Sequence, residues 1–278
     1  MDGSLVYHWY MIKKETCYDV PGLRAGILIS RLLCESPKPL GLAEICQGTG
    51  LNKHMAYRCI QTLLSEGVLI ETGEGPKYEP SLISFHYNSM PVARMPVTRA
   101  AEEPLHALWE ELNECVYLGV LHENRILYLI HHEGGREIRS GGGRMGGRYF
   151  LHADGAGKVL AAYADGALRE RLLDEGLEKL TSNTHADRKS FLAEMAKIRK
   201  QGFAIDDEEY IKGVICFGAP VFNYAGHVAG AVCCSVLTIH YTVKQLQEKI
   251  GPKVLATAKR ISLTMGWEMT RAVEAGAK

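Results

Sequence analysis

No single sign of charge dominates this sequence: 32 Lys and Arg residues balance 32 Asp and Glu residues over 278 positions. A neutral chain has no overall attraction for phosphate, so any binding of nucleic acid must depend on local groups. Long apolar runs are also missing, and the longest, residues 228–237, falls well short of the roughly twenty residues of a membrane-spanning helix. The first residues lack the apolar stretch and cleavage site of a secretion signal. We therefore expect a cytoplasmic protein that uses no membrane.

Paired cysteine motifs are absent as well. The eight cysteines show no C-x-x-C spacing and are scattered through predicted helices and strands, which is typical of buried thiols rather than disulfides or a zinc site. Thiols of this kind fit a reducing compartment, and we expect neither a bound metal nor a cofactor. With 46% hydrophobic and 23% charged residues, the chain has the composition of about two compact domains.

The most informative segment, residues 42–65, is typical of two short helices joined by a glycine turn. In the second helix, apolar residues recur at i, i+4, i+7 and i+8, which places them on one face. They are Ala56, Ile60, Leu63 and Leu64. The polar residues then face away from that stripe, as the recognition helix of a helix-turn-helix faces DNA. These candidate DNA-binding residues are Asn52, Lys53, His54, Tyr57, Arg58 and Gln61. The same spacing also fits an ordinary packed helical hairpin with a solvated face.

The residues around this pair complete a winged helix-turn-helix. A third apolar repeat, residues 25–33, predicts a helix that ends near Ser36 and Pro37. After the pair, residues 68–71 and 77–78 flank a glycine-rich tip and predict a β-hairpin. Three helices followed by a hairpin form this fold, and Lys77 on the hairpin is a further candidate DNA contact.

The N-terminal part is not basic, because residues 1–90 hold eight Lys or Arg and nine Asp or Glu. Affinity for DNA would then depend on single residues such as Lys53 and Arg58, on backbone amides at helix starts, and on several DNA-binding domains combined in one oligomer. We accordingly expect a homodimer or a dimer of dimers bound to double-stranded DNA. The alternative is an interaction module in which the winged helix binds protein and not DNA.

The sequence resembles the IclR family of bacterial transcriptional regulators over nearly its whole length. In the N-terminal part the resemblance rests on residues 42–45 (LAEI), 49–51 (TGL), 57–58 (YR) and 66–67 (EG), with Lys53 and Leu63. In the C-terminal part it rests on residues 151–158 (LHADGAGK) and on the long, distinctive block at residues 202–236. The family implies a one-component regulator that binds operator DNA and is controlled by a small organic acid. His54 and Met55 stand where the family usually carries small hydroxyl residues, so the operator sequence stays open.

The C-terminal part alternates helices and strands. We expect helices near residues 105–112, 159–164, 167–176 and 190–201, and strands near residues 115–121, 125–131, 216–222 and 228–238. The expected fold class is α/β (α+β): an N-terminal winged helix-turn-helix joined by a linker helix to the GAF-like α/β effector-binding domain that the family implies. The last helix should begin at Thr242 through a capping box with Gln245, and should kink or split at Gly251-Pro252.

We expect five segments along the chain. They are an N-terminal arm (1–19), the winged helix-turn-helix DNA-binding domain (20–80), a linker (81–98), the effector-binding domain (99–268) and a tail (269–278). The arm contains Tyr7, Trp9 and Tyr10 and fits either a dimer-packing or DNA-contacting segment or a disordered terminus. In the family the linker transmits the effector signal, whereas its composition here fits a simple connection equally well.

A candidate binding site begins at residues 154–158 (DGAGK), directly before a predicted helix. Small residues at a helix start expose backbone N–H groups at the positive end of the helix dipole, which suits the carboxylate of a small organic acid. A capped helix packed closely on a strand is the alternative. The resemblance adds further residues, so the candidate effector-binding set is Gly155, Ala156, Asp206, Val214, Cys216, Cys233 and Ser235.

The second strand of that set predicts how its side chains divide. Alternation should place Cys233 and Ser235 on one face and Cys234 on the other. The thiol of Cys233 stands where the family often has a hydroxyl, so a strong hydrogen-bond donor is replaced by a weak one. An apolar or aromatic acid is the effector that tolerates this change.

Catalytic motifs are hard to find. Residues 206–209 form a carboxylate cluster, Cys216 with His152 could form a nucleophile and base, and Cys233, Asp206 and a histidine could hold a metal. Neither G-x-S-x-G nor H-E-x-x-H occurs. Lys158 is not part of a phosphate-binding loop, because Val159 follows it where Ser or Thr is required. The acidic run is more simply a solvated turn with one inward residue, and we expect no enzymatic activity.

A glycine-rich segment, residues 134–147, interrupts this domain. It carries seven glycines together with Arg136, Arg139 and Arg144. The composition fits either a flexible lid whose arginines meet an anion or a solvated surface loop.

Overall fold

The computed structural model of the chain describes residues 19–73, 75–140 and 145–267. It divides into two compact units, Met1–Met90 and Pro91–Lys278, each with its own apolar core. The predicted N-terminal arm up to residue 18, the predicted tail and Arg144 of the glycine-rich segment lie outside the described residues.

The N-terminal unit combines helices with a small antiparallel sheet of strand order β1-β3-β2. In chain order its elements are α1 (Pro21–Glu35), β1 (Leu40–Gly41), α2 (Leu42–Thr49), α3 (Lys53–Ser65), β2 (Leu69–Thr72), β3 (Lys77–Pro80) and α4 (Leu82–Arg94), which continues past the unit boundary. The three predicted helices and the hairpin are all present. The winged helix-turn-helix is therefore confirmed.

Local sequence sets the turn between α2 and α3. Gly50 follows α2 with φ 70°, a left-handed conformation that glycine adopts without steric cost. Asn52 then begins α3, and its side-chain oxygen accepts a hydrogen bond from the Met55 N–H at 2.9 Å. Ile29, Ile45 and Ile60, one from each of the first three helices, are fully buried in the core beneath this turn. The turn and the core together hold α3 at the surface.

The segment between the two cores is helical, with a break. Helix α4 contains Pro91, and the extended backbone of Met95 separates it from α5 (Pro96–Leu112). Pro96 takes the first position of α5, where its missing N–H costs no hydrogen bond. The predicted connecting helix followed by a break is present.

The C-terminal unit is built on a six-stranded antiparallel sheet of order β6-β5-β4-β9-β8-β7. After α5, its elements are β4 (Cys115–His122), β5 (Arg125–His132), β6 (Arg148–Phe150), α6 (Gly155–Tyr163), α7 (Gly166–Glu175), α8 (Arg188–Gln201), β7 (Ala204–Asp207), β8 (Val214–Phe222), β9 (Val228–Leu237), α9 (Val243–Gln245), a π-helical turn (Leu246–Ile250) and α10 (Gly251–Thr264). The predicted helices and strands are all present, and β6 and β7 join them at the two edges of the sheet.

Each face of this sheet has its own apolar core. One face packs on α5 and α10 and includes Cys234, whereas the other packs on α6, which α8 contacts in turn, and includes Cys233. The predicted alternation along β9 is therefore correct. The second face carries the cavity described below.

Helix α6 begins in direct contact with the sheet. A Cβ atom added to Gly218 of β8 would lie 2.9 Å from the Ala156 backbone nitrogen, and one added to Gly155 would lie 3.2 Å from the Cys216 Cβ. Only glycine allows so close an approach between a helix start and a strand. The helix start is thus both capped and closely packed.

The C-terminal helix follows the predicted start, and at the predicted position, Gly251-Pro252, it changes from π-helical to α-helical geometry without ending. Thr242 and Gln245 form the expected capping box, with hydrogen bonds of 2.9 and 3.2 Å. The helix then widens into the π-helical turn Leu246–Ile250 and continues through Gly251 and Pro252. Prolines and π turns are both common sites of helix kinks. Within the described chain, every helix is too short or too polar to cross a membrane.

Candidate functional site

The exposed face of α3 carries all six candidate residues of the recognition helix. Ala56, Cys59 and Ile60 are buried on the inner side of the helix. The outer side presents Asn52, Lys53, His54, Tyr57, Arg58 and Gln61, each of them exposed. The face contains basic and amide groups but no carboxylate, which suits a polyanion despite the neutral composition of the unit.

Lys77, the candidate on the wing, is exposed at the start of β3. Its backbone position pairs with Gly41 of β1 and with Thr72 of β2. It therefore lies on the central strand of the small sheet rather than at the tip of the wing.

A cavity opens on one face of the C-terminal sheet and encloses about 360 Å³ of empty space, its open mouth included. Strands β4 to β9 and the turns that flank them supply its wall. The lining residues are Tyr117, Tyr128, Ser140, Tyr149, Asp154, Asp206, Tyr210, Ile211, Val214, Cys216 and Ser235.

Four tyrosine rings form a continuous chain along this wall. The ring centroids lie 4.9 Å apart for Tyr117 and Tyr128, 5.4 Å for Tyr128 and Tyr149, and 6.0 Å for Tyr149 and Tyr210. These spacings are typical of favourable aromatic contacts. A flat, partly apolar ligand can pack against such rings.

A row of polar side chains crosses four adjacent strands, and three of its members, Ser235, Cys216 and Asp206, line the cavity. Strand register aligns Cys115 with Ser235, Ser235 with Cys216, and Cys216 with Asp206. The Cys216 thiol lies 2.9 Å from the Ser235 hydroxyl, within hydrogen-bond distance. At the far end of the row, the Cys115 thiol donates to the Ser140 carbonyl at 2.8 Å.

Two carboxyl groups of the cavity differ in their surroundings. Asp154 caps α6: its Oδ1 accepts the Gly157 N–H at 2.9 Å and its Oδ2 accepts the Tyr128 hydroxyl at 2.7 Å. Asp206 accepts the Glu209 N–H at Oδ1, 2.7 Å away, while its Oδ2 is buried without a partner among the described residues. Burial raises the pKa of both groups, and for Asp206 burial and the nearby Asp154 charge raise the pKa to about 8.

The cavity brings together part of the predicted effector-binding set. Asp206, Val214, Cys216 and Ser235 line it. The other three, Gly155, Ala156 and Cys233, are buried directly behind Cys216, where the start of α6 packs on β8 and β9. The dipole of α6 is already capped by the Asp154 side chain.

Sequence reasoning missed the aromatic part of the wall. Tyr117 and Tyr128 lie on neighbouring strands whose register shifts between Leu118 and Gly119, and a shift of this kind leaves no clear mark in the sequence. The available signal was alternation, which places Cys115 and Tyr117 on one face of β4. A further polar atom at the cavity, the Ser140 hydroxyl oxygen, is buried without a hydrogen-bond partner among the described residues.

The prediction of a solvated acidic turn with one inward residue was wrong. Asp206 and Asp207 end strand β7, and both Asp206 and Glu209 are buried. The Glu209 carboxylate pairs with Lys158 of α6, which compensates its charge in the interior. Because lysine is rarely buried, no pattern in the sequence predicts this pair.

Lys158 is the centre of a buried ionic cluster. Its side chain is fully buried, and Nζ donates to Glu194 Oε1 at 3.2 Å, to the Ile205 carbonyl at 2.6 Å and to Glu209. Ligand atoms of His185, Glu194 and Glu209 lie within 4.8 Å of one another, a grouping that could hold a metal ion. The ammonium group already supplies a positive charge to both carboxylates.

Cys216 and His152, the residues weighed as nucleophile and base, have other partners. The His152 ring nitrogen lies 2.8 Å from the Glu178 carbonyl. A hydrogen bond with Cys233 and burial raise the pKa of the Cys216 thiol well above its usual value. A thiol with a raised pKa is a poor nucleophile.

The described part of the glycine-rich segment is anchored by ion pairs. Arg136 bonds to the buried Glu114 carboxylate at 2.6 Å, and Arg139 bonds to Glu133 at 2.6 Å. The Gly134 N–H donates to the Cys115 sulfur at 3.2 Å, and Ser140 reaches the cavity wall. Both described arginines thus already have carboxylate partners.

A winged helix-turn-helix followed by a domain with a cavity lined by aromatic and polar side chains is the layout of a DNA-binding regulator that responds to a small molecule. Two family models match: "Bacterial transcriptional regulator IclR C-terminal" over residues 90–263 and "IclR helix-turn-helix domain" over residues 27–71. The chain therefore belongs to the IclR family of bacterial transcriptional regulators.

Individual relatives agree with the family models. The HTH-type transcriptional regulator KdgR of Escherichia coli is 28% identical over 232 residues, which is 83% of this chain and 87% of the relative. The HTH-type transcriptional regulator BhcR of Paracoccus denitrificans is 30% identical over 227 residues, 81% of each chain.

A solved structure shows the same fold. It is an IclR homologue from Microbacterium hydrocarbonoxydans complexed with 4-hydroxybenzoate, with a TM-score of 0.76 at 19% identity. The match covers 88% of this chain and 98% of the homologue.

Proposed function

We propose that a small organic acid bound in the tyrosine-lined cavity controls the affinity of this regulator for operator DNA. The observation that carries the proposal is the cavity itself, in which the Ser140 hydroxyl and Asp206 Oδ2 are buried without a hydrogen-bond partner among the described residues. Buried polar groups normally have hydrogen-bond partners, so these atoms are fitted to a polar ligand. The proposed contacts are the predicted set, with Asp206, Val214, Cys216 and Ser235 in the wall and Gly155, Ala156 and Cys233 behind it.

An aromatic acid is the form of effector that the wall supports best. Four tyrosine rings at centroid spacings of 4.9 to 6.0 Å offer faces and edges to a flat ring. The structurally similar homologue complexed with 4-hydroxybenzoate gives a precedent for a ligand of this shape. We propose that the protein has two conformations, one that binds operator DNA tightly and one that binds it weakly. Effector binding can change DNA affinity only if these two conformations bind the effector with different affinity.

The DNA contacts that we propose are the exposed residues of α3 together with Lys77. Arg58 and Gln61 have side chains that form paired hydrogen bonds with base edges in the major groove. Lys53, His54, Tyr57 and the Asn52 cap lie nearer the start of the helix, where contacts to phosphate fix the register. The segments 20–80, 81–98 and 99–268 are proposed as DNA-binding domain, linker and effector domain.

The proposed assembly is a homodimer or a dimer of dimers in the cytoplasm. An apolar stripe on α1 supports it: Val20, Leu23 and Ile27 are 60%, 64% and 45% exposed in the chain by itself. Exposed apolar stripes of this kind mark contact surfaces between proteins. Pairing would also join two neutral DNA-binding domains and raise their combined affinity. We propose no catalytic role, in keeping with the raised pKa of the Cys216 thiol.

Selection of genomic fragments tests the proposal. Purified protein is mixed with sheared DNA from its own genome at near-physiological salt, and the retained fragments are sequenced. We expect a few discrete sites, because specific binding exceeds non-specific binding by about 10³-fold or more. Retention spread evenly over the genome, or none above the salt-sensitive background, would instead favour the interaction module that binds protein.

A further inference from the structure

Among the described residues, the proposed effector cavity is lined by carboxyl groups and by no basic side chain. None of its eleven lining residues is Lys or Arg, whereas Asp154 and Asp206 both contribute to the wall. The buried ammonium group nearest in sequence to Asp154, that of Lys158, donates to Glu194, Glu209 and the Ile205 carbonyl. Within the described wall, the carboxylate of an acid would therefore meet negative or neutral groups, which repels it unless one of them carries a proton.

Of the two carboxyl groups, Asp154 and Asp206, the environment of Asp154 favours the ionised form. Its two oxygens accept hydrogen bonds from the Gly157 N–H and the Tyr128 hydroxyl, and it caps α6 at the positive end of the helix dipole. Hydrogen bonds donated to a carboxylate stabilise its charged form.

The environment of Asp206 favours the protonated form of its carboxyl group. Only its Oδ1 accepts backbone hydrogen bonds, from Glu209 at 2.7 Å and Tyr210 at 3.4 Å. Its Oδ2 is buried, without a partner among the described residues, on a side chain that lines the cavity. Two neighbouring carboxyl groups in a poorly hydrated site share protons unequally, and the less well solvated one keeps its proton.

We propose that Asp206 binds the effector as a neutral carboxylic acid, donating a hydrogen bond from Oδ2 to the effector carboxylate. This inference rests on the proposed acid effector and identifies the group that receives its charge. Ser235 and Cys216, the next members of the row of polar side chains, can donate to the same carboxylate through their hydroxyl and thiol hydrogens.

The donor role makes binding depend on pH in a defined direction. A free acid effector is ionised throughout the neutral range, so the complex requires the proton on Asp206. With a pKa of about 8 in the free protein, Asp206 carries that proton below about pH 8 and loses it above. The effector affinity should therefore be constant at lower pH and fall about tenfold per pH unit at higher pH.

Other charged and titratable groups surround Asp206 on every side. They are Asp154 and Lys158 of α6, Glu209 and Tyr210 of the following turn, Cys216 of β8, and the tyrosines Tyr117, Tyr128 and Tyr149 of β4 to β6. Burial raises the pKa of Tyr117, Tyr128 and Tyr210 far from neutrality, and that of Cys216 rises as well. A variant that removes only the Asp206 proton separates its titration from theirs.

Calorimetry with Asp206→Asn provides that test. The probes are 4-hydroxybenzoate, benzoate and glyoxylate, with benzylamine as a cationic counterpart, from about pH 6.5 to about pH 9.5. For wild type we expect an acid to bind at neutral pH and to lose about thirtyfold in affinity at the upper limit. Asparagine keeps a donor at the same place without a titrating proton, so Asp206→Asn should retain affinity within about threefold and lose the pH dependence. The matched control Asp207→Asn, at an exposed neighbouring position on the same strand, should behave as wild type.

Contrary results distinguish a failure of the proposed donor role of Asp206 from a failure of the proposed acid effector. If an acid binds wild type with the same affinity at every pH, or if the folded Asp206→Asn variant binds no acid, Asp206 accepts rather than donates and this inference is wrong. If benzylamine binds and none of the acids does, or if none of the four probes binds, the proposed acid effector is itself rejected, and the inference with it.

Discussion

Replacing Arg58 with alanine is expected to weaken binding to operator fragments by at least about thirtyfold while leaving the fold intact. Arg58 is exposed at the middle of α3, one turn after His54 and about one turn before Gln61. An arginine that contacts a base or phosphate contributes about 1–3 kcal/mol. A dimer loses the contact twice, so we expect a decrease in affinity of about thirtyfold to about ten-thousandfold. Fluorescence anisotropy with a retained fragment measures it at fixed salt.

Arg31→Ala is the matched control for this experiment, because Arg31 is an exposed arginine on α1 of the same unit. It should leave operator affinity within about threefold, and both variants should melt at the wild-type temperature. An Arg58→Ala protein that binds operator fragments as tightly as wild type would contradict the assignment of α3. Loss of oligomer mass in that variant would support the interaction-module alternative instead.

Replacing Lys158 with methionine is expected to destabilise the protein by about 3–5 kcal/mol. The substitution preserves most of the side-chain volume but leaves Glu194 and Glu209 buried without their shared cation. An uncompensated buried charge is more costly than the ion pair is favourable. Chemical denaturation followed by circular dichroism measures the change. The penalty should shrink toward lower pH, because each carboxyl group, its pKa raised by the loss of Lys158, can then be protonated.

Two further variants show whether the unpaired charges cause the effect. Lys197→Met removes an exposed partner of Glu194, 3.3 Å away, and should change stability by less than about 1 kcal/mol. A triple variant, Lys158→Met with Glu194→Gln and Glu209→Gln, should recover part of the lost stability because no buried charge remains. A Lys158→Met protein as stable as wild type would mean that the cluster is hydrated in solution.

Local patterns predicted the parts of the structure that depend on local interactions. The apolar spacing in α3 predicted which side of the helix is exposed, and the glycines before it predicted the turn between α2 and α3. Likewise, alternation along β9 correctly assigned Cys233 and Cys234 to opposite faces. In each case the interactions that decide the conformation are close in the sequence.

The features that escaped prediction depend on contacts distant in the sequence. Lys158 meets Glu194 and Glu209, 36 and 51 residues away, and no local pattern shows that a lysine will be buried. The chain of tyrosines needs the register of three strands. The resemblance to the family predicted Asp206 as a contact, but not the orphaned oxygen, which follows from the packing of β7 against β8 and α6.

The claim that an acid effector controls operator binding is tested most directly by adding acids to the complex of the protein with an operator fragment. The fragment retained from the genome is held at fixed salt and protein concentration, and benzoate, 4-hydroxybenzoate and glyoxylate are added in turn, with benzylamine as the control. We predict that at least one acid changes the operator affinity at least fivefold, the lower end of typical coupling between sites, and that benzylamine does not. An operator affinity that stays constant with every acid, while one of them binds in the cavity by calorimetry, would contradict control of DNA binding by an acid effector.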